Sequence, residues 1–362
     1  MKRVCLYAYD KVNLGDDLFI RTITARYPDT KFYLWSDSIN KQNFLDIGNL
    51  IVIDQKAKFL LAIRKFWPSF PFRYRTWIEN HCDATVYIGG SIFIEYPHWE
   101  RYVNWWKEKA FQKPLYVLGA NWGPYSTPEY KTGMAEAFGA MQDICFRDQY
   151  SQTQFASIKN VRYAPDILLS VQMPICEIKK KQVFVSLIDC GGEAHTELQK
   201  CKNAYLDNMS SLIKRYLEED WYVVLSSFCK HEGDELAVAE VLTNIIDSRY
   251  ADRISVLSYD GTNSNDILTS ISESDYVIAT RFHGVILALA AGRPVLPVIY
   301  SDKTQHTLNS IGFNGRCFDL RSQKTISFAQ SKENWHNPQK YHMDRIYSDA
   351  EKHFSKLDTV LK

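Results

Sequence analysis

Residues 276–304, YVIATRFHGVILALAAGRPVLPVIYSDKT, carry the pattern that decides the fold. The apolar run 276–279 predicts a buried parallel strand, and the small-residue run 285–291 predicts a helix directly after it. The turn between strand and helix holds three candidate ligand-binding residues, Arg281, His283 and Gly284. The amides and the dipole at a helix start favour a phosphate or a carboxylate, and a glycine lets such a ligand approach the backbone. The stretch therefore predicts an anion site in an α/β domain.

A second cation is predicted to reach the same edge of the sheet. The run 294–300 reads as the next parallel strand, so Lys303 should emerge near His283 at the carboxyl ends of the strands, where open α/β sheets bind ligands. A purely structural role stays open, with Arg281 capping nearby carbonyls and His283 packing as a hydrogen-bonded turn residue. The combination of a strand, a glycine-led helix and a second cation favours the ligand site.

Strand-like runs alternate with helical stretches along most of the chain, which predicts parallel sheets covered by helices on both faces. We expect an α/β protein with two doubly wound, Rossmann-like domains facing a central cleft. Their predicted bounds are residues 1–173 and 182–326, separated by a proline and a basic run. A helical segment, residues 327–362, is expected to cross back onto the first domain, as is typical of the GT-B architecture.

Composition excludes several classes of function. The 362 residues carry a net charge of +1, which gives no global field for nucleic acid. The chain opens without an apolar signal core and has no run of ~18 apolar residues, so we expect a cytoplasmic protein with at most a peripheral contact at the inner face of the membrane. Eight scattered cysteines without Cys-x-x-Cys spacing favour buried thiols over disulfides or a metal site. Neither a dinucleotide nor an ATP motif occurs, so no such cofactor is expected.

Glycines and polar residues follow three predicted strands of the first domain, at positions where backbone amides can meet a ligand. They are Asn13, Gly15, Asp16 and Asp17 after the first strand, Gly89, Gly90, Ser91 and Glu95 after the second, and Asn121 and Trp122 after the third. Helix capping by Asn13 or Asp16 explains the first group equally well, and a tight turn explains the two glycines.

Arg147 follows the predicted strand 144–146 and precedes a polar helix start. Its planar guanidinium can make two parallel hydrogen bonds to a carboxylate, which suits an organic acid ligand. A surface ion pair with Asp148 is the structural alternative.

Six segments resemble segments that occur in the same chain order in the polysaccharide pyruvyl transferase family. The last of the six, residues 280–303, combines three family features. The family's Ser-Arg-Leu-His-Gly turn, Gly-x-Pro strand and Tyr-x-x-Lys ending stand here as Thr280-Arg281-Phe282-His283-Gly284, Gly292-Arg293-Pro294 and Tyr300-Ser301-Asp302-Lys303. The family's opening Asn-x-Gly-Asp, its strand end with two glycines, its Gly-Pro loop, its Arg-Asp-x-x-Ser segment and its Pro-Asp turn also have counterparts here. Thr280 and Phe282 are conservative departures. The matches run from Asn13 to Lys303.

The resemblance implies an enzyme that uses phosphoenolpyruvate as co-substrate and needs no other cofactor. It would form a cyclic pyruvate ketal on a sugar of a surface polysaccharide or its lipid-linked precursor, releasing phosphate, and Arg147 would bind the donor. The predicted donor residues are Arg147, Arg281, His283, Gly284 and Lys303. His283 can also serve as a proton donor, and Asp16, Asp17 and Glu95 are candidate bases, with helix capping or a solvated surface position as the structural alternative for each. The predicted acceptor residues are Asn13, Gly15, Gly89, Gly90, Ser91, Glu95, Asn121 and Trp122.

Two other functions fit the same features. A nucleotide-sugar glycosyltransferase shares the two domains and the phosphate-binding helix, but residues 276–301 contain no Asp or Glu to bind a ribose. A non-catalytic sugar- or anion-binding protein is the second alternative. Acceptor-dependent release of phosphate from phosphoenolpyruvate would separate the three.

Overall fold

Two compact units make up the chain. The computed structural model describes residues 1–9, 11–36, 42–54, 57–67, 69–245, 248–323, 325–338 and 342–362. The first unit comprises Met1–Lys11, Asp16–Ile167 and Ser348–Lys362, and the second comprises Val12–Gly15 and Leu168–Tyr347. The segment 327–362 is therefore divided between the units, and its residues 339–341 lie outside the described part of the chain.

The first unit holds a sheet of seven parallel strands in the order β3-β2-β1-β4-β5-β6-β7. The strands are β1 (Arg3–Tyr7), β2 (Lys31–Ser36), β3 (Leu50–Asp54), β4 (Ala84–Ile88), β5 (Leu115–Ala120), β6 (Asp143–Phe146) and β7 (Val161–Tyr163). The helices between them are α1 (Leu14–Arg26), α2 (Lys58–Phe66), α3 (Phe70–Asn80), α4 (Trp99–Gln112), α5 (Pro128–Ala140) and α6 (Gln149–Thr153). The strand order reverses between β1 and β4, which is where such sheets open a ligand crevice.

The second unit holds six parallel strands in the order β10-β9-β8-β11-β12-β13. The strands are β8 (Lys179–Ser186), β9 (Tyr222–Ser226), β10 (Ile254–Val256), β11 (Ser274–Ala279), β12 (Val295–Ile299) and β13 (Phe318–Asp319). Its helices are α7 (Lys202–Glu218), α8 (Asp234–Ile245), α9 (Ser264–Glu273), α10 (Phe282–Ala290), α11 (Asp302–Ser310), α12 (Phe328–Ser331) and α13 (Glu333–His336). The next helix, α14 (Met343–Glu351), begins in this unit and ends in the first, to which α15 (Ser355–Leu361) belongs. The order reverses between β8 and β11, so the carboxyl ends of these two strands mark the crevice.

The predicted strand, helix and strand in residues 276–300 are confirmed as β11, α10 and β12. Their strands are apolar throughout because both faces of a parallel sheet are covered. The edge strands β7 and β13 have three and two residues, too short for a pattern to identify them.

The end of the chain packs into the first unit. Arg26 pairs with Asp358 at 2.7 Å and also with Glu351. The buried imidazole of His353 donates to the Pro165 carbonyl over 2.9 Å. Ion pairs and a buried hydrogen bond thus hold residues 348–362 beside the first sheet.

Aromatic side chains fill much of the first unit's core. Trp106, on α4, is fully buried and packs against Phe93 with ring centroids 5.2 Å apart. In the second unit, α7 buries nine residues toward the sheet. All eight cysteines are free thiols, as predicted, and five of them are buried. Among the described residues, no helix combines the length and the apolar character needed to span a bilayer.

Candidate active site

The turn with His283 lies at the crevice end of the second sheet. β11 ends at Ala279 and α10 begins at Phe282, so His283 stands in the first turn of the helix rather than before it. The Gly284 amide donates to the Arg281 carbonyl over 2.9 Å. That amide is hydrogen-bonded within the first turn of the helix, so it does not face a ligand as expected.

Gly284 is needed for the packing of α10 on the sheet. A Cβ at this position would lie 2.7 Å from Ser186 Oγ, at the end of β8, and 3.1 Å from the Cβ of Ala279. Real Cβ atoms do not approach other atoms at 2.7 Å. A glycine here lets the helix start lie directly on β8 and β11, which holds His283 over the end of the sheet.

Arg281 does not offer its charge to a ligand, in contrast to its predicted place in the donor site. Its Nε donates to Asp234 over 2.6 Å, and its other nitrogens bond to Asp234 and Glu232. Asp234 also accepts the Phe228 and Cys229 amides, at 3.1 and 2.9 Å. Burial works to lower the pKa of Arg281, but the two carboxylates outweigh it and raise the pKa well above its ordinary value. The guanidinium is a permanent cation within a buried ion cluster.

Lys303 and His195 extend this cluster. Burial works to raise the pKa of Glu232, but His195, Arg281 and Lys303 outweigh it and hold the pKa far below its usual range. His195 Nε2 lies 3.5 Å from Glu232 Oε2, and its ring packs edge-on against Tyr300 at 5.2 Å. The Lys303 ammonium is 5.5 Å from the centroid of the same Tyr300 ring. Lys303 therefore lies close enough to Glu232, an ion-pair partner of Arg281, to interact with it electrostatically.

Gly15 packs against His283 in the second unit, and Asn13 is hydrogen-bonded to Gly15. A Cβ on Gly15 would lie 1.7 Å from His283 Nδ1, so the Gly15 backbone rests directly on the imidazole. The Gly15 amide donates to Asn13 Oδ1 over 3.1 Å, and the Leu14 amide donates to the Phe228 carbonyl over 3.1 Å. Only a residue without a side chain fits this approach. Both residues, which were predicted to lie in the first domain, belong to the second unit.

In the first unit, three predicted site residues lie around Arg147, which is itself a predicted donor residue. The guanidinium is buried and donates to Asn121 Oδ1 over 2.7 Å. A Cβ on Gly90 would lie 2.5 Å from the Nη2 atom of Arg147. Ser91 Oγ donates to the same Asn121 oxygen over 3.3 Å. These residues follow β4, β5 and β6, three neighbouring strands, so their carboxyl ends meet at one edge.

The ion-pair partner of Arg147 is Asp166, not Asp148. Arg147 Nη1 lies 3.3 Å from Asp166 Oδ2, and both side chains are almost fully buried. Asp148 instead caps α6 by accepting the Ser151 amide over 2.7 Å. The alternative of a surface ion pair with Asp148 is therefore wrong, and the Pro-Asp turn supplies the counter-charge.

The two aspartates at the start of α1 differ in burial and in neighbours. Asp17 is buried and accepts from Asn43 Nδ2 over 3.0 Å. Asp16 is half-buried, and its Oδ1 lies 3.9 Å from the position that a Cβ of Gly89 would take. Asp16 therefore borders the turn after β4.

Glu95 and Trp122 have structural roles in the first unit. The Glu95 carboxylate accepts from the Ser126 amide and, over 3.0 Å, from the Thr127 amide, and these bonds lower the pKa of Glu95 to about 2. A carboxylate held at the start of α5 with this pKa is a weak base. Trp122 is 4% exposed and stacks on Tyr130 at 5.2 Å inside the aromatic core. It belongs to the packing of the unit rather than to an acceptor surface.

Sequence reasoning missed Glu232, Asp234 and His195. The first two follow β9, so the rule that ligands gather at the carboxyl ends of strands also applied to them. No local signal marked His195, which lies in an irregular helical stretch. In the described part of the chain, no group of three or more His, Cys, Asp or Glu side chains is arranged to hold a metal ion.

Known structures share the fold at low sequence identity. A UDP-GlcNAc 2-epimerase from Neisseria meningitidis, bound to UDP-GlcNAc, superposes with a TM-score of 0.63 at 11% identity, with 100% of each chain covered. A putative UDP-N-acetylglucosamine 2-epimerase from Listeria monocytogenes gives 0.60 at 11% identity, covering 99% of this chain and 95% of that one. With the two parallel sheets, these similarities confirm a GT-B-like fold of two Rossmann-like domains.

Sequence comparison identifies the family. The amylovoran biosynthesis protein AmsJ from Erwinia amylovora is 19% identical over an alignment of 342 residues. The match covers 83% of this chain and 80% of that protein. The family model described as polysaccharide pyruvyl transferase matches residues 13–302, a range that includes the Arg147 cluster and the His283 turn. The chain belongs to the polysaccharide pyruvyl transferase family.

Proposed function

We propose that this protein transfers the pyruvyl group of phosphoenolpyruvate to a sugar of a surface polysaccharide or its lipid-linked precursor. Family membership supports pyruvyl transfer to a polysaccharide. The packing of Gly15 on His283 is the structural observation that carries the proposal. It joins two family segments, far apart in the sequence, around one imidazole that can bind phosphate or move a proton.

The proposed reaction forms two C–O bonds from sugar hydroxyls to the central carbon of phosphoenolpyruvate and breaks its C–O bond to phosphate. The methylene carbon gains one proton and becomes a methyl group. The sugar loses two hydroxyl protons, so the second proton leaves with the phosphate. The enzyme must therefore deliver a proton to carbon, stabilise the cationic carbon that results, and accept a proton from a hydroxyl.

His283 is the proposed proton donor to the methylene carbon. The dipole at the start of α10 disfavours an imidazolium, whereas a bound dianionic phosphate favours it. The proton would then arrive with the donor. Lys303 is the proposed cation for the donor anion in the second unit, because Arg281 is already paired with Asp234 and Glu232. Arg281 is assigned to positioning the turn that precedes His283.

Arg147 remains the proposed carboxylate-binding cation of the first unit. The proposed acceptor surface comprises the turn of Gly89, Gly90 and Ser91, with Asn121 beside it. Asp16 is the proposed base for the sugar hydroxyl because it borders this turn, whereas Asp17 is bonded to Asn43 and Glu95 caps α5.

The experiment measures phosphate release from phosphoenolpyruvate in the presence of a panel of free and lipid-linked sugars, with mass spectrometry of the products. We expect acceptor-dependent phosphate release and a product that carries one pyruvyl ketal. Parallel reactions contain UDP-sugars in place of phosphoenolpyruvate. Sugar transfer from a UDP-sugar, or the absence of phosphoenolpyruvate binding by the folded protein in calorimetry, would overturn the proposal.

A further inference from the structure

The segment 55–78 has a strongly biased composition. These 24 residues contain six Lys or Arg residues and no Asp or Glu, although the whole chain is nearly neutral. They also contain several aromatic residues. The segment covers α2 and most of α3, whose last residues include the buried Glu79, and we call these two elements the α2–α3 helix pair. Its charge is unrelated to the site described above.

One side of the α2–α3 helix pair anchors it to the first unit. Leu60 and Ile78 are buried, and Tyr74 packs edge-on against Trp35 of β2 at 5.9 Å. Arg75 also points inward, with its guanidinium 4.5 Å from the centroid of the Tyr7 ring. These contacts hold the helix pair on the first unit, so the remaining side chains of the pair are not needed for that packing.

The other side exposes large apolar side chains. Phe66 is 91% exposed, and Leu61, Trp67 and Trp77 are 42%, 47% and 57% exposed. Ring contacts through Phe70 and Tyr74 connect Trp67 with Trp77, and contiguous exposed apolar side chains mark an interaction site.

Cations surround these apolar side chains. Lys58, Arg64, Lys65 and Arg73 are all exposed, and the Arg73 guanidinium lies 5.5 Å from the centroid of the Trp67 ring. Lys56 lies outside the described residues. Long basic side chains can extend toward phosphates while their stems cover apolar surface.

We infer that the α2–α3 helix pair is a docking surface for a bilayer that contains anionic phospholipids. Exposed Phe, Trp and Leu side chains enter the boundary between headgroups and acyl chains, where tryptophan is favoured. The four cations attract the phosphates of an anionic leaflet. The inference does not depend on the proposed reaction, but it places the enzyme where a lipid-linked sugar would be available.

A soluble polysaccharide is the competing occupant, since aromatic faces can pack on sugars. Here the ring faces cover one another: Phe70 and Tyr74 are stacked within 4° of parallel, and Tyr74 and Trp77 within 10°. Four exposed cations also add nothing to stacking on a sugar ring. Both observations favour the membrane.

Flotation of the full chain with phospholipid vesicles tests the inference. One set contains phosphatidylglycerol and phosphatidylcholine, and the other contains phosphatidylcholine alone. We expect binding to the anionic vesicles only, weakening with salt. Lys65→Gln should weaken binding about fivefold, and Phe66→Ala roughly tenfold. The matched controls are Lys180→Gln, another exposed lysine, and Phe111→Ala, whose side chain is 81% exposed on α4.

A second measurement does not depend on weakened variants. Brominated phospholipid should quench tryptophan fluorescence, and the double variant Trp67→Phe and Trp77→Phe should remove most of the quenching while keeping the protein bound. Binding that survives Phe66→Ala and Lys65→Gln at full strength, equal binding to neutral vesicles, or binding to a soluble acidic polysaccharide but not to vesicles would overturn the inference.

Discussion

The contact between Gly15 and His283 can be tested by adding a single methyl group. Gly15→Ala would place a Cβ 1.7 Å from His283 Nδ1, whereas ordinary contact begins at 3.4 Å. The difference of 1.7 Å is the distance by which the ring or the Asn13–Gly15 backbone must retreat. Gly15 follows the first residue of α1, and its backbone conformation suits alanine, so the effect should come from this contact alone.

The expected effect is larger on turnover than on stability. Misplacing a reacting group by about 1 Å lowers turnover ~100-fold, so we expect Gly15→Ala to lose at least ~100-fold in kcat with phosphoenolpyruvate. Overpacking should lower the free energy of unfolding by about 1–3 kcal/mol. Gly139→Ala is the matched control: its Cβ would meet nothing within 4 Å, so activity should stay normal and α5 should gain up to about 1 kcal/mol.

A double variant separates the contact from other causes. With His283→Ala the ring is gone, so adding Gly15→Ala should lower the free energy of unfolding little further. Chemical unfolding of the four proteins measures this coupling without any activity. Normal turnover together with an unchanged unfolding transition in Gly15→Ala would refute the reasoning, as would an equal loss of stability with and without the imidazole.

Three further variants test the site. His283→Gln should keep much of its phosphoenolpyruvate affinity but lose turnover ~100-fold or more, because glutamine can hold phosphate but cannot supply a proton; a loss of affinity with near-normal turnover would contradict the acid role. Lys303→Ala should weaken phosphoenolpyruvate binding roughly ten- to hundred-fold, and unchanged affinity in calorimetry would remove it from the donor site. Glu95→Gln should lower stability and spare acceptor kinetics. Because the pKa of Glu95 is held at about 2, below its ordinary 4.5, the stability it adds is complete above pH 4.5 and disappears as the pH falls through 2. Unfolding measurements across that range should show the difference in free energy of unfolding between wild type and variant shrinking as the pH falls. A difference that does not change with pH would count against the capping role.

The fold was predictable because parallel strands covered on both faces must be apolar, and runs such as the one in β11 stand out between helices. Sequence pattern could not show that Val12–Gly15 belongs with the second unit, since the segment lies between two stretches of the first. A long-range hydrogen bond from the Leu14 amide to the Phe228 carbonyl and the fit of Gly15 to the His283 ring link this segment to the second unit.

The site was predicted in part. Residue types and spacing pointed to His283, Lys303 and Arg147, because cations at strand ends of α/β sheets mark ligand sites. They could not show that Arg281 is paired, since its partner Asp234 is 47 residues away in the sequence. Trp122 is polar enough to suggest a surface and large enough to fill a core, and only the packing around it decided between the two.

The position of Val12–Gly15 also bears on engineering within the family. Because the acceptor surface is proposed to lie in the first unit, an exchange of acceptor specificity would replace that unit with the one from a relative and keep the second. If the exchanged piece began at Met1, the loop that rests on His283 would come from one parent and the histidine from the other. The junctions should instead leave residues 12–15 with the parent that supplies His283, because the backbone of that loop shapes the surroundings of the imidazole.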